Sequence, residues 1–180
     1  AMQDDLTDAT RWAIEEGIAD ARRICIYGAS YGGYASLMGV AREPDLYACA
    51  AGDVGVYDLE TWTQRVDFQD LRWGRNYLRD AVGTEGLQEV SPVHLAASIK
   101  VPVFLAAGEN DRRAPVQQTE RMEDALERAE VPVQSLYFRG EGHGYYSTDN
   151  KLKFYSELIA FFDQHIGSGW EPVEAAPSGP

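Results

Sequence analysis

The sequence predicts an α/β protein, a parallel sheet of about four strands with helices on both faces, giving three layers. Three observations predict it. Three of four short strand-like runs are continuously apolar, not alternating, as strands buried on both sides are; the fourth, Val133 to Phe138, is interrupted only by Gln134 and Ser135. Segments of helical character lie between them, and alternation of this kind builds right-handed βαβ crossovers. Each of these runs also gives way to a turn or loop, three of them carrying Ser30, Asp111 and His143, so reactive side chains gather at the carboxyl ends of the strands, where such sheets place their sites.

In chain order, Asp4 to Asp20 carries Leu6, Ala9, Ala13, Ile14 and Gly17 at helical spacing, with acidic residues early, as a helix N-terminus prefers. Ile24 to Tyr27 is the first strand. It runs into Gly28-Ala29-Ser30-Tyr31-Gly32 and leaves as a helix over Tyr34 to Arg42, a strand, sharp turn and helix that expose a serine. Gly28 and Gly32 are expected where strand and helix come too close for a Cβ. Leu46 to Ala51 reads as the second strand, ended by Gly52-Asp53-Val54-Gly55. Tyr57 to Asp80 mixes Tyr57, Trp62, Phe68, Trp73 and Tyr77 with charges and has no clean period, which suggests short helices laid over the core. Ser91-Pro92 starts a further helix to about Ser98. Val103 to Ala107 is the third strand, Pro115 marks the next helix with Met122, Ala125, Leu126 and Ala129 on one face, and Val133 to Phe138 is the fourth strand. The last helix places Tyr155, Leu158, Ile159, Phe162 and Ile166 on one stripe. Residues 1–166 form the folded part; the Gly/Pro/Ser/Ala-rich residues 167–180 are expected to be a disordered tail.

The totals narrow the function. With 180 residues, 44% apolar, the chain can bury one core. Its net charge of −13 argues against nucleic acid and anionic membranes as partners and favours solubility. No run of 18 apolar residues is present for a membrane span, and the choice between cytoplasm and periplasm stays open. Cys25 and Cys49 sit in apolar runs and read as two small buried hydrophobes, not as a disulfide or metal pair. No metal or organic cofactor is implied.

Ser30, Asp111 and His143 each follow a different predicted strand, in the order nucleophile, acid, histidine. A serine hydroxyl is a weak nucleophile at neutral pH and needs an imidazole to take its proton. The imidazole in turn needs an acceptor that fixes its tautomer and stabilises the cation formed during attack. His143 and Asp111 fit those roles. Asn110, Glu109 and Asp149 are weaker candidates for the acid, and His94 and His165 read as structural.

Gly28-Ala29-Ser30-Tyr31-Gly32-Gly33-Tyr34, the Gly108-x-x-Asp111-x-x-x-Pro115 turn and Gly140-Glu141-Gly142-His143 resemble the catalytic α/β-hydrolase domain of the prolyl oligopeptidase family of serine peptidases. Within it, the chain is most similar to the dipeptidyl aminopeptidase and acylaminoacyl peptidase branch. It departs from the common family pattern at Ala107, where histidine is frequent, and at Ala114, where an aliphatic residue is. The resemblance implies a peptidase acting on short peptides through an acyl-enzyme on Ser30, with the Tyr31 N–H as one oxyanion donor and Tyr57 and Trp62 lining the substrate pocket. An esterase with the same elbow and a noncatalytic self-associating fragment are the alternatives.

The family's sheet has strands before the elbow, and the second oxyanion donor comes from a loop among them. Only 29 residues precede Ser30. The expectation is therefore the C-terminal part of a larger hydrolase domain, weakly active or inactive alone. With the usual neighbour of the elbow strand missing, Arg23 to Tyr27 would present an open edge and lead to a homo-oligomer.

Overall fold

The computed structural model describes residues 2–168, so most of the expected tail lies outside the described residues. Four strands form one sheet in the order β1-β2-β3-β4, every pair parallel. They are β1 (Cys25–Ala29), β2 (Cys49–Asp53), β3 (Val103–Gly108) and β4 (Val133–Phe138). β2 and β3 are buried at every position, which is why the sequence showed no alternation there.

Alternate residues of β3 serve opposite faces. Val103 and Leu105 join Leu37, Val40, Tyr57, Met122 and Leu126 on one side, beneath α2 (Tyr31–Arg42) and α5 (Gln117–Arg128). Phe104 and Ala106 join Cys49, Phe138, Phe154, Leu158 and Phe161 on the other, beneath α6 (Thr148–Ile166). These are the three layers. The first helix, α1 (Met2–Glu15), leans on α2, where Gln3 Nε2 donates to the Ala35 carbonyl at 3.2 Å.

Several expectations are corrected. The stripe of α6 is rotated: Phe154, Leu158 and Phe161 are buried, whereas Tyr155 and Ile159 are exposed. Phe154 and Phe161 both meet Phe104, with ring centroids 6.3 and 5.6 Å apart, and large rings filling the space over β3 outweigh the stripe chosen by spacing alone. β2 continues through Gly52 and Asp53, because these residues pair with Leu105 and Ala106; a glycine in a buried strand marks close approach, and Gly52 lies under the Tyr57 hydroxyl. The segment after Ser91 is two short 3₁₀ turns, Pro92–His94 and Ala96–Ser98, instead of one helix. Cys25 and Cys49 stand opposite each other in register, Cα atoms 4.6 Å apart, and are joined in a disulfide. Sequence reading missed it because strand adjacency, not sequence spacing, brings them together.

The aromatic segment forms α3 (Leu59–Thr63), α4 (Arg72–Tyr77) and a wide turn over Leu78–Val82. It closes on a small cluster of its own, Val66, Phe68 and Leu78 with Trp62 and Val82, as expected of short helices laid over the core.

Candidate active site

The elbow is built by backbone geometry. Ser30 has φ 57° and ψ −116°, a conformation that L-residues adopt at a cost of about 1–3 kcal/mol and that persists only where its surroundings enforce it. Two features enforce it here. Ser30 N–H donates to the Asp53 carbonyl at 2.8 Å, and Gly28 lies so close to the backbone of Gly32 that a Cβ would overlap it. At Gly32 itself a Cβ would meet nothing within 4 Å; the second tight glycine is Gly33, whose Cβ would come within 2.9 Å of Gly55 Cα. The expectation for Gly32 is corrected to that extent.

Asp111 sits in the turn after β3 with its side chain fully buried. Oδ1 accepts the backbone N–H groups of Arg113 and Ala114 at 2.8 and 2.9 Å. Oδ2 lies 2.7 Å from His143 Nδ1, and His143 Nε2 lies 2.9 Å from Ser30 Oγ. These contacts fit the tautomer in which Nδ1–H donates to the Asp111 carboxyl and Nε2 presents its lone pair to the serine hydroxyl. The three side chains thus form one continuous hydrogen-bonded chain. Glu109, Asn110 and Asp149 are all exposed, and none takes the place of Asp111.

The loop carrying His143 is anchored by a residue that sequence reading passed over. Glu141, 4% exposed, accepts Tyr146 N–H at 2.7 Å, Ser147 N–H at 2.9 Å and Asn150 Nδ2 at 2.7 Å. The hydrogen bonds from Tyr146, Asn150 and Ser147 hold its carboxyl below the usual range. Its own carbonyl accepts Asn110 N–H at 2.8 Å, joining the histidine and aspartate loops. The available signal was a carboxylate a few residues before the Ser147 cap of α6, close enough to reach the Tyr146 and Ser147 N–H groups that lead into that helix.

Tyr31 opens α2, and the N–H at a first helical position has no intrahelical partner, so it is free to meet an anion. Tyr57 is fully buried and forms contacts beneath Gly33, Gly52 and Gly55. The pocket expectation for Tyr57 is corrected accordingly, since a ring without exposed surface supports the elbow from below. Trp62 is part-exposed, and its Nε1 donates to the Arg113 carbonyl at 2.7 Å, which ties the aromatic segment to the Asp111 turn. Arg113 also lies over Phe68, 5.2 Å from the ring centroid. A cleft of about 750 Å³ lined by Glu109, Val116, Glu120, Glu123, Asp124 and Tyr137 contains none of Ser30, Asp111 and His143.

Comparison with known proteins identifies the family and the fold. The model of the prolyl oligopeptidase family matches residues 1–169. A dipeptidyl aminopeptidase BIII of Pseudoxanthomonas mexicana is 33% identical over 178 residues, covering 96% of this chain and 26% of that protein. A puromycin-hydrolyzing peptidase of Mycobacterium tuberculosis superimposes with a TM-score of 0.83 at 29% identity, over 95% of this chain and 26% of the other. The acylaminoacyl peptidase of Pyrococcus horikoshii, at 24% identity and TM-score 0.81, shares the fold over 95% of this chain and 28% of its own. The chain spans about a quarter of the length of these relatives, and over that span its sheet is the α/β-hydrolase fold. With its elbow, its sheet and a family match over all the described residues, the chain belongs to the prolyl oligopeptidase family.

Proposed function

We propose that the chain carries the nucleophile, acid and histidine of a serine peptidase that cleaves short peptides through an acyl-enzyme. The observation that supports it most is the continuous relay from Ser30 Oγ through His143 to the buried Asp111 carboxylate. Ser30 Oγ attacks the scissile carbonyl while His143 Nε2 takes its proton; the carbon–nitrogen bond then breaks as the imidazolium returns that proton to the leaving amine. Water repeats the cycle on the acyl ester. The Tyr31 N–H faces the developing oxyanion as one donor. Peptide substrates are suggested by relatives named as aminopeptidases and acylaminoacyl peptidases.

A second donor in such elbows comes from a loop that precedes the nucleophile strand. One missing donor lowers turnover by about 10²–10³, and we propose that the 180 residues alone turn over substrate slowly. A chromogenic aminoacyl amide and the matching ester test this reading. Slow release from both, abolished in Ser30→Ala, is expected. Cleavage of the ester alone favours an esterase, and release that survives Ser30→Ala refutes the assignment.

A further inference from the structure

Beside the relay lies a carboxylate that the steps above do not use. Asp53 ends β2 at 7% exposure, opposite Ala29 in register. Its backbone carbonyl accepts Ser30 N–H, and its side chain accepts the Tyr145 hydroxyl. Tyr145 is two residues beyond His143. One residue therefore holds the nucleophile with its main chain and the histidine loop with its side chain.

The histidine loop needs such an anchor. His143 stands between Gly142 and Gly144, and Gly144 has φ 125°, so the backbone around the imidazole has little stiffness of its own. Glu141 fixes one flank. On the other flank, Tyr145 packs on Phe138 and Phe154 with ring centroids 4.4 and 5.1 Å away, which leaves its hydroxyl aimed at Asp53. A buried carboxylate is expensive unless it is hydrogen-bonded: burial pushes Asp53 up to about 6, against the opposing pull of Tyr145 and His143. Tyr27, Tyr57 and Asp111 are the other titratable groups that face it.

We propose that Asp53 is a positioning residue for His143: through Tyr145 it fixes the histidine loop to the same residue that fixes the Ser30 backbone, so that nucleophile and base share one reference point. The proposal rests on the catalytic reading of Ser30, His143 and Asp111.

The test is the rate of fluorophosphonate labelling at saturating probe, measured on the 180-residue chain. Tyr145→Phe and Asp53→Ala should each slow it about tenfold, with the apparent probe affinity and the fraction finally labelled unchanged. The double variant should lose about tenfold as well, because both changes break one contact. Asp53→Asn, which keeps an acceptor for the tyrosine, should restore the rate to within about threefold of the parent chain. Single variants within about twofold of the parent, or additive losses in the double variant, overturn the proposal. If Asp53→Ala does not fold, Tyr145→Phe carries the test alone, since it removes a single hydroxyl. The downfield proton resonance of His143 Nδ1–H gives a readout independent of labelling: it should broaden in Tyr145→Phe, and an unchanged line contradicts the tether. An unlabelled parent chain sinks the catalytic reading, while that resonance still decides the tether.

Discussion

At Ser30, His143 and Asp111 the distances favour proton transfer, but the distribution of burial is equally informative. The Asp111 side chain is fully buried and the His143 side chain 30% exposed, so the carboxyl is shielded while the imidazole remains reachable from solvent. If the relay acts as proposed, Asp111→Asn leaves the site assembled with the wrong histidine tautomer and slows Ser30 labelling by about 10³–10⁴. Asp53 gives a separate prediction, about stability. Its folded-state value, raised to about 6 from 3.8 by burial, means that the folded chain holds this proton more tightly than the unfolded chain does. Its contribution to stability is therefore fully present below the unfolded value and is lost as pH rises through about 6. Between about pH 4 and pH 7 the parent chain should lose on the order of 2 kcal/mol relative to Asp53→Asn. Denaturant unfolding of both across that range checks it; a constant difference contradicts the buried, raised carboxyl.

Among the elements, the elbow makes the sharpest demand on sequence. A Cβ at Gly28 would overlap the Gly32 backbone, whereas one at Gly32 would enter open space. Gly28→Ala should cost about 3 kcal/mol or more, while Gly32→Ala, in the first turn of α2, should change stability by less than about 0.5 kcal/mol. Thermal unfolding of the two variants distinguishes them, and equal losses would contradict the geometry. The same comparison shows what was legible beforehand. The motif Gly-x-Ser-x-Gly announced the turn, but which glycine was sterically required depended on the path of α2 over β1. Strand identity was legible because β2 and β3 are buried at every position and so read as continuous apolar runs. The α6 stripe and the end of β2 were not, because aromatic packing on Phe104 and pairing with β3 are tertiary effects. At the site, Ser30, Asp111 and His143 could be picked out by residue type and order. Glu141, Asp53 and the burial of Tyr57 could not, since each depends on which loops meet.

For the whole molecule, the order of the sheet has a consequence. β1 lies at one end and pairs only with β2 among the described residues. Tyr27 on that strand is 43% exposed, and Leu152, Tyr155 and Ile159 on α6 are 63%, 55% and 64% exposed. An open strand beside apolar side chains favours pairing with another copy, and we propose that the 180-residue chain self-associates through β1. Light scattering at micromolar concentration should report a species larger than 20.0 kDa; a clean monomer counts against it. The central claim is that these residues hold an activated serine, and fluorophosphonate labelling followed by peptide mapping tests it most directly. A single adduct on Ser30 is predicted, absent in Ser30→Ala and strongly slowed in His143→Ala; no adduct, or a rate indifferent to His143, contradicts the account.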